Sequence, residues 1–141
     1  MTARDQFLRF AAIGTLGFLV DAGVLVALLA GGMAGAHGGR VLSFLAAASV
    51  TWALNRRFTF AATSGARRLA EWGRYLAAMA AGAAVNYAVY ALAMRLADGA
   101  TLLAPLAVAA GSLAGLAVNF TVARRCVFAR RDAPDQPSAS A

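Results

Sequence analysis

The sequence predicts an all-α polytopic membrane protein, with four transmembrane helices in two parallel two-helix repeats and both termini cytoplasmic. Three observations predict it. Hydrophobic residues make up 61% of the 141 positions and charged residues 13%, where an ordinary soluble domain carries about 25% charged residues. One soluble domain of this length could not hide that much apolar surface from water. The apolar residues gather in four long runs, and the second half of the chain repeats the first. Arg9-Phe10, Gly17 and Asp21 return 65 positions later as Arg74-Tyr75, Gly82 and Asn86. Ser43, Ala47, Thr51 and Arg56-Arg57-Phe58-Thr59-Phe60 return 68 positions later as Gly111, Gly115, Asn119 and Arg124-Arg125-Cys126-Val127-Phe128.

The first run, residues 10–30, would be roughly 31 Å long at ~1.5 Å per residue, enough to cross the hydrocarbon core. No persuasive cleavage site follows it, so it reads as a retained helix. Residues 31–39 form a glycine-rich turn. The second helix, residues 40–58, ends at Asn55-Arg56-Arg57. The connection that follows, residues 61–74, is polar and basic, and is expected to carry a short interfacial helix with Trp72 at headgroup depth. The third helix covers residues 75–96. The fourth covers residues 105–123, with Pro105 in the first turn, where its missing N–H costs little. Strands are excluded because the runs are too long and continuous for the alternation of a membrane barrel. The four-helix domain is thus expected over residues 5–130, followed by a disordered cytoplasmic tail over 131–141.

Net charge is +7 and all thirteen basic residues are arginine. They cluster at the ends of apolar runs, which fits an anionic lipid surface rather than nucleic acid. Eleven of them flank the N-terminus, the middle connection and the C-terminus, and only Arg40 and Arg95 fall on the other side. The positive-inside rule then puts both termini in the cytoplasm. Two helices per repeat give both repeats the same orientation.

Asp21 is the only acid well inside an apolar run. A carboxylate at bilayer depth costs about 2.5 kcal/mol or more, so it faces a cavity or a partner. Gly14 and Gly17 lie near its face of the helix, and Asn86 takes its place in the second repeat. Two readings fit: a polar pair lining a substrate path, or an interhelical hydrogen bond worth about 0.6–2 kcal/mol. Ser43, Ala47, Thr51 and Asn55 make a ladder at i+4 spacing, repeated as Gly111, Gly115, Asn119 and Ala123. Small residues at this spacing allow close helix packing, and Asn55 and Asn119 are polar enough to need partners. Arg56-Arg57 and Arg124-Arg125 close the two helices. Guanidinium groups bind phosphate in bidentate fashion, but anchoring at the membrane surface explains them as well. Trp52, Tyr87 and Tyr90 could stack on a sugar or simply pack. His37 is expected to be solvated and Cys126 inert. There is no nucleotide loop, metal-ligand cluster or nucleophile–base pair, so no cofactor, metal or enzymatic activity is expected.

Taken together, Arg9-Phe10, Gly14, Gly17, Asp21, the run from Asn55 to Phe60, Arg74-Tyr75, Asn86, Asn119-Phe120 and the run from Arg124 to Phe128 resemble the GtrA-like family of four-helix bacterial membrane proteins. The resemblance covers roughly residues 5–130. Cys126 stands where the family usually has an aromatic residue. The resemblance implies a place in the bacterial cytoplasmic (inner) membrane and a part in cell-surface polysaccharide synthesis. Its members are thought to move polyprenyl-phosphate-linked sugars to the outer leaflet for a membrane glycosyltransferase. Others have been regarded as anchors or regulators of that enzyme.

The leading expectation is therefore flipping of a polyprenyl-phosphate-linked sugar. Arg56, Arg57, Arg124 and Arg125 would gather the phosphate, and Asp21, Asn55, Asn86 and Asn119 would line a groove for the sugar. The alternatives are a non-transporting assembly partner for a glycosyltransferase, and a small proton-coupled exporter of cations working through Asp21. Four short helices make a thin wall around any path, so a homodimer or a partner protein is expected to complete it.

Overall fold

The computed structural model describes residues 2–62, 68–96 and 103–129. The expected tail over 131–141 lies outside them. Four α-helices account for nearly all of the described chain, in the order α1 (Ala3–Ala30), α2 (Ala36–Leu54), α3 (Arg68–Leu96) and α4 (Ala104–Val122). Helices α2 and α4 each run on into one π-helical turn, Asn55–Thr59 and Ala123–Val127. By length and composition, α1, α3 and the stretch Pro105–Val127 can cross a membrane. With α2 beside them, the chain is a polytopic helical membrane protein.

Two helices start earlier than hydropathy predicts. Helix α1 begins at Ala3 because Thr2 and Asp5 cap it reciprocally: the Asp5 amide donates to Thr2 Oγ1 (3.2 Å) and the Thr2 amide to Asp5 Oδ2 (3.0 Å). Such a cap is worth about 1 kcal/mol, enough to carry the helix through the polar residues before Phe10. Helix α3 begins at Arg68, which corrects the expected separate interfacial helix. Trp72 belongs to the long helix, and its Nε1 donates to Ser49 Oγ of α2 (3.1 Å) instead of pointing to headgroups. The glycine-rich turn is also shorter than predicted, since α2 already begins at Ala36 and His37 is helical. Gly32 takes a left-handed conformation there (φ 63°), which a side chain would resist.

Helices α1 and α2 form one antiparallel hairpin, and α3 and α4 a second; these are the two intimate helix pairs. Large apolar side chains such as Phe18, Leu19, Leu69, Leu92 and Leu106 face outward, while Ser43, Ala47, Ala48 and Thr51 are buried. This inverts a water-soluble bundle. Lipid provides no hydrophobic drive between helices, so they associate where small residues let the backbones meet. A methyl group on Gly17 would collide with Thr51 Cγ2, and one on Gly82 with the Asn119 amide. A Cβ at Gly115 would lie 2.7 Å from the Gly82 carbonyl oxygen, and one at Gly111 would lie 2.5 Å from that of Asn86. The sequence ladders are thus the seams of the two hairpins.

The hairpins run the same way, as the repeat predicts. Hydrogen bonds and ring contacts between them gather at one end, where α1 and α3 start and α2 and α4 finish. Phe10, Tyr75, Ala78, Ala123, Val127 and Phe128 form the buried core there. Phe60 stacks on Phe128 (centroids 4.6 Å apart, planes at 15°), while Phe7 and Phe10 meet Phe120 edge-on. Arg9, Arg56, Arg57, Arg68, Arg74, Arg124 and Arg125 belong to this basic end, and Arg40 to the opposite one.

The seam geometry predicts opposite outcomes at two glycines. Gly115→Ala meets a backbone carbonyl that cannot step aside, so overpacking should cost about 1–3 kcal/mol and lower the melting temperature in detergent. Gly14 has nothing within 4 Å of a built Cβ, so Gly14→Ala should hold or gain up to about 1 kcal/mol from helix propensity. Thermal unfolding of both variants checks this.

Candidate functional site

A cavity of about 670 Å³ lies between the two hairpins and is lined from all four helices. Its walls are largely apolar, with Phe10, Phe44 and Leu116 among them, but the polar groups are distinctive. Asp21 and Asn55 enter from the first hairpin, Asn86 and Asn119 from the second. These four sequence-predicted residues therefore come together. Thr15, Thr51 and Ser112 add hydroxyl groups.

The four are not equivalent. Asn55 is 1% exposed and its amide is fully engaged. Its Nδ2 donates to Tyr75 Oη (3.0 Å), and its Oδ1 accepts from Thr59 Oγ1 (2.8 Å). Asn55 is thus a clamp from α2 to α3 that happens to border the cavity. Asp21 Oδ2 accepts from Arg40 across the first hairpin. Its other oxygen, Oδ1, is buried and finds no partner among the described residues; the same holds for Asn119 Oδ1. Asn119 lies directly over Gly82, and Asn86 packs against Gly111 and Gly115. Glycine on the facing helix is what makes room for each side chain. An unpaired buried acceptor costs about 1–3 kcal/mol. The cavity lining thus includes one residue from each hairpin whose buried acceptor has no partner among the described residues.

The arginines divide differently from the expectation. Arg56 and Arg57 border a second, smaller cavity of about 460 Å³ beside the end of α2, together with Trp52, Arg68, Ala61 and Ala62. Arg124 and Arg125 line neither cavity and are exposed. The two pairs sit in matching π-turns 68 positions apart, yet their surroundings have diverged. Only the first is backed by a buried acid. Glu71, 5% exposed, accepts on Oε1 from Arg56 Nε (2.9 Å) and from Trp52 Nε1 (3.0 Å). Its counterpart in the first repeat is Gln6, whose Oε1 is buried without a partner among the described residues. After the first π-turn the chain turns back through Ala61 in the left-handed region (φ 45°), and the Ala62 amide donates to the Arg56 carbonyl (3.0 Å). Glycine usually takes such a helix-closing position; here an alanine shapes the floor of the second cavity.

The aromatic candidates scatter. Trp52 borders the second cavity, while Tyr87 is 72% exposed and only tilted against Tyr90 (6.5 Å). None of the three lines the central cavity. Sequence reasoning missed Glu71, Tyr75 and Arg68. The signal for Tyr75 was present, since it repeats Phe10 with an added hydroxyl. The signal for Glu71 was an acid one helical turn before Tyr75.

The Glu71 arrangement makes a stability prediction. Glu71→Ala removes the acceptor that Arg56 Nε and the Trp52 indole N–H share, a loss of about 3–5 kcal/mol for a largely buried ion pair. Tyr75→Phe leaves the Asn55 amide one bond short, about 1–3 kcal/mol. Melting temperatures in detergent should fall in that order.

Comparison with known proteins agrees with this frame. No curated protein matches the sequence. The family described as GtrA/DPMS, transmembrane domain, matches residues 9–128. That stretch begins at Arg9, ends at Phe128, and takes in both hairpins, both π-turns and every residue of the central cavity. The chain therefore belongs to the GtrA/DPMS transmembrane-domain family.

Proposed function

We propose that this protein carries the head group of a polyprenyl-phosphate-linked sugar across the bacterial cytoplasmic membrane, for use by a membrane glycosyltransferase in cell-surface polysaccharide synthesis. The observation that carries the reading is the central cavity, lined by Asp21 from the first hairpin and by Asn86 and Asn119 from the second. Sugar hydroxyls are donors, and each would satisfy an acceptor that otherwise stays unpaired. A phosphosugar cannot cross hydrocarbon cheaply, because its polar groups lose water without compensation. A cavity of hydrogen-bonding groups lowers that barrier while the prenyl tail stays in lipid. Membership of the GtrA/DPMS family supports the same class of cargo. The arginine asymmetry favours a cytoplasmic position for the basic end, where the arginine pairs would draw phosphate toward the bundle.

In this reading the protein performs no covalent chemistry. Binding is by hydrogen bonds and charge, and the hairpins move relative to each other to expose the head group on the far side. The Asp21 carboxylate is held by Arg40, so it serves as a fixed acceptor at the outer end of the path.

The test is reconstitution into liposomes with a short-chain prenyl-phosphate glycoside loaded in one leaflet. A membrane-impermeant oxidant then reports the arrival of sugar in the other. Protein-containing vesicles should expose sugar faster than empty ones, and Asn119→Ala or Asn86→Leu should slow this roughly tenfold, as loss of a bond worth about 1.4 kcal/mol in the transition state requires. Rates equal to those of empty vesicles would end the translocation reading and leave the assembly partner in its place.

A further inference from the structure

The central cavity is not walled equally on all sides. On α2 its lining residues Ala47, Ala48, Thr51 and Asn55 are buried. On α1 the lining residues Gly14, Thr15 and Phe18 are exposed, as are Ala83 on α3 and Ser112 on α4. Helix α2 is bonded to α3 through Ser49–Trp72 and Asn55–Tyr75. Helix α1 meets α4 through Phe7 and Phe10 against Phe120. The open side therefore lies between α1 and α4, beyond those rings. Phe18 is eight residues past Phe10, Ser112 is eight before Phe120, and the two helices run in opposite directions. Phe18 and Ser112 thus stand at one height, roughly 12 Å from the rings at ~1.5 Å per residue. Gly14 forms the nearer edge of the gap, where a built Cβ meets nothing within 4 Å. Phe18 is 68% exposed, and Thr15 spends its hydroxyl on the Ala11 carbonyl (3.2 Å). On the α1 side the rim is apolar or already hydrogen-bonded.

We infer that this gap is a lateral portal: the hydrocarbon chain of the cargo lies between α1 and α4 while the head group occupies the cavity, an assignment that rests on the reading of the cavity as a head-group site. A lipid-linked sugar is one molecule. Its polar part is costly to leave in hydrocarbon and its chain is costly to expose to water. A head group inside the bundle therefore needs a passage through the wall for the chain that stays in lipid. At the basic end the buried rings of Phe10 and Phe128 close the bundle, and hydrogen bonds close α2 on α3. Between α1 and α4 a hydrocarbon chain asks nothing of the rim but room, and Gly14 supplies it. Its role differs from that of the seam glycines. Gly17, Gly82, Gly111 and Gly115 each admit a side chain or carbonyl of the facing helix, whereas Gly14 lines the cavity and faces open space. The occupant is the chain of the cargo and not a bulk phospholipid, because a head group held in the cavity tethers its own chain at the gap and raises its local concentration there.

The experiment is photo-crosslinking of the full-length protein in phosphatidylglycerol vesicles. The probe is a farnesyl phosphate glucoside with a diazirine on its chain, and adducts are mapped by peptide mass spectrometry. Adducts should concentrate on residues 14–18 and 112–116, well above those on the outward-facing Leu92 and Leu106, and excess unlabelled glucoside should remove them. Gly14→Leu should cut them roughly tenfold, the order that one overpacked side chain costs. Gly23→Leu should leave them unchanged, because Gly23 also faces open space on α1 but lines neither cavity. Open space at both glycines lets both variants fold, which their melting temperatures check, and the adduct map of the unaltered protein stands without any variant. Adducts spread evenly over the lipid-facing surface, or unchanged by Gly14→Leu, would overturn the portal. Equal labelling of the same residues by a diazirine-bearing phosphatidylglycerol would overturn the cargo chain as its occupant. A second copy of the protein seated in the gap would exclude both probes, and the absence of adducts there would likewise overturn it. Occupancy is read here without transport. Adducts in a protein that fails the liposome test would keep the portal and end translocation, and translocation without adducts at these residues would do the reverse.

Discussion

The two hairpins are each closed along their length by small residues, but among the described residues the hydrogen bonds and ring contacts that fasten them to one another gather at one end. That clasp determines the remaining architecture. On one side it is polar: Trp52 and Arg56 meet on Glu71, Asn55 holds Tyr75, and Trp72 reaches Ser49. On the other it is aromatic, with Phe7 and Phe10 against Phe120 and Phe60 stacked on Phe128. In lipid the polar half is expected to contribute modestly per bond, about 0.6 kcal/mol on average. Its greater effect is selective: breaking any one bond leaves a buried polar group unpaired, so the hairpins have one register in which every partner is met.

Fastening at one end leaves space between the hairpins elsewhere, and the repeat fills that space unevenly. Position by position, Asp21 corresponds to Asn86, Thr51 to Asn119, Asn55 to Ala123 and Glu71 to Gln6. The duplication supplied two equal scaffolds, and substitution then divided the work. The first repeat holds Asp21 and the bonded Asn55, while Glu71, which braces Arg56, comes from the second. The second kept free-standing asparagines over glycines, which now face the cavity. A symmetric pair of sites would have put two carboxylates near each other, with a cost that exchange of one for an amide removes.

Much of this was legible beforehand. Apolar run length fixed the four helices, arginine placement fixed which ends gather, and the i+4 ladders gave the seams between Gly17 and Thr51 and between Gly82 and Asn119. The gathering of Asp21, Asn55, Asn86 and Asn119 followed from the same periodicity. Other features could not be read there, for physical reasons. Hydropathy registers Glu71 and Trp72 as polar or interfacial and so shortens α3, because it does not see that α2 supplies Arg56 and Ser49 as partners. The cap on α1 is local hydrogen bonding, invisible to a hydropathy window. Periodicity places Arg56-Arg57 and Arg124-Arg125 alike, yet their environments depend on a residue three-dimensionally adjacent but 15 positions away in one case and altered in the other. Asp21 was legible as a buried acid; its pairing with Arg40 depends on where the 31–35 turn reverses the chain.

The two ends of the central cavity are closed by unequal means, and this bears on how a ligand would pass. At the basic end a cluster of rings is buried, with Phe10 and Phe128 at 3% and 8% exposure. Each aromatic pair adds about 0.5–1.5 kcal/mol beyond its buried area. At the other end the Arg40–Asp21 ion pair spans only the first hairpin, and the Arg40 side chain is 58% exposed. Pairs as exposed as this contribute at most about 1 kcal/mol. Nothing comparable joins the hairpins there among the described residues. Parting them at the Arg40 end thus costs little, while parting them at the arginine-rich end means breaking rings and hydrogen bonds together. Under the proposed function, a head group entering from the basic side would have to open the clasp with its own binding energy. The closure is therefore asymmetric although the repeat is not, and the Arg40 end is the one that parts more readily.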